Sequence, residues 1–195
     1  MGVDDYPALL YILGANLNEP SLLEVFSMIS PEILRSYPFF GLFTHQQYNE
    51  VVMISQEVSF TAGEEILKEG QIAKDLYFLL EGGVELYFTF TDLTKKEILV
   101  GEINPGEPFG VSSLIYPYLL TSTVRASKVS RVIKIDAIPL RQLFEKDQQL
   151  GFVFMTRIAQ AVIERLNITR ILLAAERMSD SYLLNRPGSS INERR

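Results

Sequence analysis

The residues most able to bind a ligand lie between positions 101 and 127, where glycines and hydroxyl side chains stand close together. This stretch reads GEINPGEPFGVSSLIYPYLLTSTVRAS, and its hydroxyls include those of Ser112, Ser113, Thr121 and Thr123. A glycine turn that leads into a short helix can present backbone amides to an anion such as a phosphate. The only basic residue of the stretch is Arg125. The segment therefore has the backbone pattern of a phosphate site but few of the charges.

The sequence lacks the residues that the usual catalytic and metal-binding sites need. The sequence has one histidine, His45, and no cysteine, so metal sites with the usual nitrogen and sulfur ligands, thiolate nucleophiles and disulfides are excluded. It contains no nucleophile elbow, P-loop or dinucleotide fingerprint, and a Ser-His-Asp triad would have to use that same histidine. We interpret His45 as a solvated residue in the first turn of a helix. We expect a protein that is not an enzyme and that has neither metal nor cofactor.

The composition favours an ordinary soluble globular protein over a nucleic-acid-binding or membrane protein. The chain has 195 residues, 47% of them hydrophobic, and a net charge of -6. An acidic surface does not favour direct DNA binding, which needs clustered lysine and arginine. The first basic residue is Arg35, and the apolar run 8–15 is too short to cross a bilayer. We therefore expect a cytoplasmic protein.

The spacing of apolar residues predicts helices at both ends of the chain and strands between them. Residues 6 to 36 suggest two or three short helices, and Thr44 with Gln47 fits a capping box that starts a helix reaching about Ser55. Between 56 and 135, short β-branched and aromatic runs are separated by glycines, which indicates an antiparallel barrel, roll or sandwich. Within this region the stretch 81–84 predicts a hairpin.

Several side chains in this region allow a functional or a structural interpretation. The aromatic residues could stack on bases, but alternation on strands favours core packing. The glutamates beside the turn glycines are interpreted as a solvated edge. The aromatic residues are Tyr77, Phe78, Tyr87, Phe88 and Phe90, and the glutamates are Glu64, Glu65 and Glu69.

The last part of the chain reads as helical. Pro139 suits a first helical turn and Asp147 a helix N-cap, and no proline or glycine interrupts the chain from Phe152 to about Met178. One stripe of this long helix is mostly apolar. It consists of Leu150, Phe154, Ile158, Ala161, Arg165, Ile168, Leu172 and Ala175.

Six stretches of the sequence, taken in order, resemble the cyclic-nucleotide-binding domain, the sensory module of the catabolite activator and FNR family, of cAMP-dependent kinase regulatory subunits and of some ion channels. They are Pro38-Phe-Phe, Val58-Ser-Phe-Thr-Ala-Gly-Glu64 with Ile66, Glu69-Gly70-Gln71, Leu76-Tyr-Phe-Leu-Leu-Glu-Gly82, Val84-Glu-Leu86 and Pro105-Gly-Glu-Pro-Phe-Gly110. The resemblance implies a mainly β fold with flanking helices. It implies an eight-stranded antiparallel β-roll with an N-terminal helical bundle and with B and C helices at the end.

The resemblance makes the segment after Phe109 and Gly110 the phosphate-binding cassette, and the sequence departs from the family there. In the family a glutamate directly after the glycine binds the ribose hydroxyl, and an arginine nine residues further on pairs with the cyclic phosphate. These positions hold Val111 and Leu120. Arg125 lies five residues too late, and on a strand that odd offset points it to the opposite face. We expect no binding of cAMP or cGMP in the family's usual way.

Two interpretations of the altered cassette stay open. In the first, apolar side chains at 111, 114, 115 and 120 fill the roll and no ligand binds. In the second, the pocket holds a less anionic effector, contacted by hydroxyls and apolar walls. The candidate ligand-binding residues are Phe109, Gly110, Val111, Ser112, Ser113, Leu120 and Thr121.

The long helix also allows two interpretations. By resemblance to the catabolite activator group it would pair with the same helix of a second subunit, and alternatively it would fold back onto its own roll. We expect the homodimer. The predicted organisation is a helical extension over 1–36, the cyclic-nucleotide-binding-like domain over 37–178 and a flexible tail over 179–195. We expect a signalling module that works through an unknown protein partner, or else the sensory fragment of a transcription regulator, since only residues 179–195 follow the long helix in this sequence.

Overall fold

The computed structural model describes residues 29–90 and 96–184, with side chains as far as residue 178. The eight strands of this part are β1 Ser55–Phe60, β2 Glu65–Leu67, β3 Asp75–Glu81, β4 Val84–Thr89, β5 Glu97–Ile103, β6 Pro108–Phe109, β7 Thr123–Ala126 and β8 Ser130–Asp136. The helices are α1 Pro31–Arg35, α2 His45–Met53, α3 Ala137–Lys146 and α4 Gln148–Leu184, with 3-10 turns at Pro38–Phe40 and Val111–Leu114. None of the described helices is suited to spanning a bilayer.

The strands form two antiparallel four-stranded sheets, which confirms the predicted β-roll with flanking helices. One sheet has the order β1-β8-β3-β6 and the other β2-β7-β4-β5. Strand β3 reads as an unbroken apolar run because both of its faces are buried. Leu76 and Phe78 face the helices, whereas Tyr77 and Leu79 face the inside of the roll.

The helices pack on the first sheet through a cluster dominated by phenylalanine, here called the helix-side cluster. Phe39 lies 4.6 Å from Phe78 and 5.0 Å from Phe154 between ring centroids, in edge-to-face contacts. Ile29 and Leu34, from the predicted N-terminal extension, are buried in the same cluster. Residues 6 to 28 of the predicted helices lie outside the described part.

The inside of the roll holds a second apolar cluster, here called the roll interior. It contains Leu67, Ala73, Tyr77, Leu79, Val84, Ile103, Phe109, Leu120, Val124 and Val132. The aromatic rings of β3 serve these two clusters, as core packing predicts. At the end of β4 the expectation holds less well, since Phe88 and the following Phe90 are exposed and contact each other.

Local capping fixes the helices that flank the roll. The predicted capping box is confirmed, because the Thr44 hydroxyl accepts from the Gln47 amide and the Gln47 side chain accepts from the Thr44 amide. The helix ends at Met53, two residues before the predicted end, because Ser55 already pairs with Ile135 in the sheet. The Asp147 carboxylate accepts from the Leu150 amide and from the Gln47 side chain, so it caps α4 and joins it to α2.

The predicted hairpin at 81–84 is wrong. Gly82 does form a turn, with φ +105°, but β3 pairs with β6 and β8 while β4 pairs with β5 and β7. The turn therefore carries the chain from one sheet to the other. A side chain at Gly82 would meet Ser130 at 2.4 Å, so the glycine is required by close packing on the β7–β8 turn.

The long helix α4 has a buried first part and an exposed second part. Leu150, Phe154 and Ile158 are buried in the helix-side cluster, whereas Ile168 and Leu172 are more than half exposed. The helix continues to Leu184, six residues past the predicted end near Met178. The rest of the predicted tail, 185–195, lies outside the described residues.

Candidate functional site

The cassette begins with a glycine that no other residue could replace without strain. Gly110 follows β6 and has φ +70°, in the left-handed region. A Cβ atom at this position would lie 2.9 Å from the carbonyl oxygen of Asp75 and 3.2 Å from Leu67. The glycine thus lets the chain turn tightly against β3 and enter the 3-10 turn at Val111–Leu114.

The 3-10 turn is fastened to α3. The Ser113 amide donates to the Gly110 carbonyl over 3.0 Å, which uses one of the backbone amides that an anion could have met. The Arg141 guanidinium donates to the Ser113 carbonyl and lies 4.3 Å from the centroid of the Tyr118 ring. One side chain of α3 therefore contacts both the 3-10 turn of the cassette and the segment around Tyr118 that follows it.

The cassette segment around Tyr118 and Leu120 is hydrogen-bonded to the loop between β2 and β3. The Leu120 amide donates to the Gln71 carbonyl over 2.9 Å, and the Gly70 amide donates to the Leu120 carbonyl over 2.8 Å. The Ala73 amide donates to the Tyr118 carbonyl over 2.7 Å. These bonds fix the backbone on both sides of Leu120, so the direction of its side chain is set by the fold.

A cavity of about 400 Å³ lies between the cassette, the strands of the second sheet and α4. Its apolar lining consists of Leu67, Leu86, Phe109, Val111, Ile115, Pro117, Leu119, Leu120, Val124 and Val162. Gly110, Tyr116 and three hydroxyl residues, Ser112, Thr121 and Ser122, complete the cassette side, and Arg165 stands on the α4 side. The volume falls in the range of about 300 to 1,000 Å³ that is usual for small-molecule sites.

Arg165 is the only charged residue that lines this cavity among the described residues. Its Nη2 donates to the Pro108 carbonyl over 2.7 Å and lies 3.5 Å from the Glu107 carboxylate. Its buried Nε has no hydrogen-bond partner within the described part of the chain. Burial lowers the pKa of the guanidinium, and Glu107 offsets part of this effect. The group stays charged at neutral pH, because the pKa of arginine lies far above neutrality.

Phe109, which lines the cavity, packs against a second aromatic ring that lies close to a carboxyl group. Tyr77 and Phe109 are stacked with 5.0 Å between centroids, and the Tyr77 hydroxyl lies 3.4 Å from the Asp75 carboxylate. Burial raises the pKa of Tyr77 well above its ordinary range, and burial also raises the pKa of Asp75. Tyr77 is therefore a neutral part of the roll interior at any physiological pH.

Six of the seven residues selected from the sequence line the cavity. They are Phe109, Gly110, Val111, Ser112, Leu120 and Thr121. Ser113 does not: it is fully buried, and its hydroxyl has no partner among the described residues. Thr123 does not line it either, because its hydroxyl accepts from the Glu69 amide. Of the four hydroxyl residues weighed as ligand contacts, Ser112 and Thr121 remain.

Sequence reasoning missed Arg165 as a cavity residue. The available signal was a single basic residue in an otherwise apolar helical stripe. In the structure it meets Glu107 of its own chain. The residues from β2, β4 and β7 that face the cavity were also missed, because the pairing of distant strands brings them there.

The remaining charged candidates lie away from the cavity lining. Arg125 donates two hydrogen bonds, of 2.6 and 2.8 Å, to Glu97 and does not line the cavity, as its strand offset predicts. His45 is the exposed first residue of α2 and contacts Arg35. Among the described residues, no group of three or more His, Cys, Asp or Glu side chains is placed to bind a metal ion.

Similarity to known proteins agrees with this architecture. The model of the cyclic nucleotide-binding domain matches residues 57–147. A crystal structure from Geobacter metallireducens GS-15, of a protein assigned to the cyclic nucleotide-binding proteins, is 46% identical, with a TM-score of 0.64. The match covers 71% of this chain and 99% of that one.

Two further similarities are more distant. The c-di-GMP responsive regulator CLP of Xanthomonas campestris has a TM-score of 0.57 at 18% identity over 67% of this chain and 63% of its own, which shows a shared fold. The potassium channel GORK of Arabidopsis thaliana is 26% identical over 57% of this chain, a match that spans 13% of the channel. Because the β-roll fold, the position of the cassette and the 46% identical structure all point to one family, the chain belongs to the cyclic nucleotide-binding domain family of regulatory and sensor modules.

Proposed function

We propose that this chain is a non-enzymatic regulatory domain that does not bind cAMP or cGMP in the family's usual way. The observation that carries the proposal is the chemistry of the cavity wall. Val111 and Leu120 both line the cavity, and they stand where the family places a glutamate for the ribose and an arginine for the phosphate. An aliphatic side chain offers neither a charge nor a hydrogen bond to these groups.

The energies involved make the loss decisive. Removing one member of a buried, hydrogen-bonded charge pair costs about 2 to 5 kcal/mol. Micromolar binding corresponds to only about 8 kcal/mol. Arg125 offers no replacement, because it is bound to Glu97 and lies 3.5 Å from Glu65. Arg165 does line the cavity, but the carboxylate of Glu107 already neutralises part of its charge.

Calorimetric titration of the full chain with cAMP and with cGMP tests the proposal. We expect no binding tighter than about 100 μM for either nucleotide. The variant Arg125→Gln serves as a control, since it should leave the result unchanged. A micromolar isotherm with the wild-type chain would refute the proposal.

A second candidate function, the sensing of a different effector, is supported by the open cavity. Had the apolar side chains at 111 and 120 simply filled the roll, no space of about 400 Å³ would be left beside them. Native mass spectrometry of the protein purified from its source tests for a bound molecule. An added mass that disappears on denaturation is expected, and a bare chain would count against this function.

The proposal includes a homodimer formed through the second part of α4. Its support is the set of exposed apolar side chains on this helix, which includes Val162, Ile163, Leu166, Ile168, Ile171, Leu172 and Leu173. A 37-residue helix is about 55 Å long, so a second copy could cover the members of this set that lie on one face. Sedimentation should give twice the chain mass, and Leu172→Glu should reduce it to a monomer, while Asn167→Gln should not. A wild-type monomer would contradict the proposal.

A further inference from the structure

We propose that the cavity binds an amphipathic monocarboxylic acid, with its apolar body against the leucine and valine wall and its carboxylate on Arg165. This inference rests on the proposed function, in which the cassette itself no longer holds an anion. It adds the chemical class of the ligand and the residue that would recognise its charge.

The shape and lining of the cavity favour a ligand with a largely apolar body. Leu67, Leu86 and Val124 line it from the strands, Leu120 from the cassette and Val162 from α4. Transfer of each methylene group from water to such a wall is favourable, so a longer apolar body should bind more tightly. A nucleotide would bring several polar groups into the same space, and burying a polar group without a partner is unfavourable.

The Arg165 guanidinium keeps donors that no described residue uses. Both of its contacts in the described chain are made by Nη2, to the Pro108 carbonyl and to Glu107. Its Nε is buried and has no partner among the described residues. A buried donor without a partner calls for an unseen water, ion or ligand. A carboxylate matches the planar guanidinium, because two parallel hydrogen bonds can form.

The ion pair with Glu107 does not prevent this binding. The distance of 3.5 Å between Arg165 Nη2 and Glu107 Oε2 is long for a charged hydrogen bond. Glu107 also accepts from the Asn104 amide over 3.2 Å and from its side chain over 3.1 Å. If a ligand takes the guanidinium, Glu107 thus keeps two hydrogen bonds. Arg165 would then be the one charged group of the described lining that faces the apolar wall, which suits a ligand with a single negative charge.

The experiment compares decanoate with decanol, its uncharged match, by calorimetry on the full chain. Decanoate should bind with one site per chain, and decanol about 10-fold or more weaker, because a hydrogen bond to a charged group is lost. Arg165→Gln should weaken decanoate by a similar factor and leave decanol unchanged. Arg170→Gln, an exposed arginine on the same helix, should bind both ligands like the wild type. Methyl resonances of Leu120 and Val124 should shift on binding.

The outcomes separate this inference from the proposed function. Equal binding of decanoate and decanol, insensitivity to Arg165→Gln, or no binding of either would overturn the carboxylate assignment, whatever the cyclic nucleotides do. Micromolar binding of cAMP to the wild-type chain would instead overturn the proposed function.

Discussion

The helix-side cluster and the roll interior share strands β3 and β8, yet they are filled differently. On the helix side, Phe40, Phe78 and Phe154 are fully buried, and the Phe40 ring contacts the rings of the other two. Inside the roll, Leu120 and Val124 are also buried, but they border a cavity of about 400 Å³. The two faces of the same strands therefore carry different tasks. One face packs against the helices, and the other faces the roll interior that borders the cavity.

The largest loss of stability should come from removing a ring from the tightly packed helix-side cluster. Phe40→Ala is expected to lower the free energy of unfolding by about 3 to 5 kcal/mol, because a closely packed ring is removed. Leu120→Ala should cost about 2 kcal/mol, since this side chain already has the cavity on one side. Urea denaturation followed by circular dichroism measures both. Equal losses would show that the two regions are packed alike.

The second largest effect on stability concerns the glycine turn at the start of the cassette. Gly63 and Gly110 both have positive φ, but a Cβ atom meets nothing within 4 Å at Gly63 and meets Asp75 at Gly110. Gly63→Ala should therefore cost about 1 kcal/mol for backbone strain alone. Gly110→Ala should add an overpacking cost of about 1 to 3 kcal/mol. If thermal unfolding gave the two variants the same stability, the close approach at Gly110 would not hold.

A smaller effect distinguishes filled from open positions within the roll interior. Val132 and Val124 are both buried strand valines, but only Val124 lines the cavity. Val132→Ile should cost about 1 to 3 kcal/mol, because the added methylene has no space. Val124→Ile should cost less than about 0.5 kcal/mol, because the methylene can enter the cavity. A loss at Val124 as large as that at Val132 would argue that the cavity is closed in solution.

The smallest effect is a pair of pH dependences with opposite sign. Burial raises the pKa of Asp75 in the fold, so its stabilising effect is present below the ordinary pKa of about 4 and is lost as the pH rises. Hydrogen bonds from Arg125 lower the pKa of Glu97, so its stabilising effect is lost as the pH falls.

Stability measured from acid to neutral pH checks these signs. Asp75→Asn should gain relative to the wild type as the pH rises from about 4. Glu97→Gln should lose relative to the wild type as the pH rises toward about 4.5, the ordinary pKa of this carboxyl, and little above it. Parallel curves for the two variants would contradict the assignment.

Much of the fold could be predicted, because local patterns determine it. The capping box at Thr44, the N-cap at Asp147 and the alternating strands depend on near neighbours, and the structure has all three. The hairpin at Gly82 was mispredicted because a glycine turn specifies a change of direction and not the strand that pairs next. Strand pairing depends on contacts that are distant in sequence.

The candidate site was predictable only where one segment forms it. The cassette residues are contiguous, and six of the seven selected residues line the cavity. Ser113 was misplaced because a 3-10 turn points successive side chains in different directions, and this one points into the protein. Arg165 was missed as a cavity residue because α4 reaches the cassette only in the folded chain.

The central claim is that the cavity wall lacks the charges that would hold a cyclic nucleotide. Its most direct test is a titration of cAMP into the wild-type chain and into the double variant Val111→Glu, Leu120→Arg, which restores the family's glutamate and arginine. We expect no binding tighter than about 100 μM for the wild type and a gain of about 10-fold or more for the variant. Micromolar binding to the wild type that the two substitutions leave unchanged would contradict the claim.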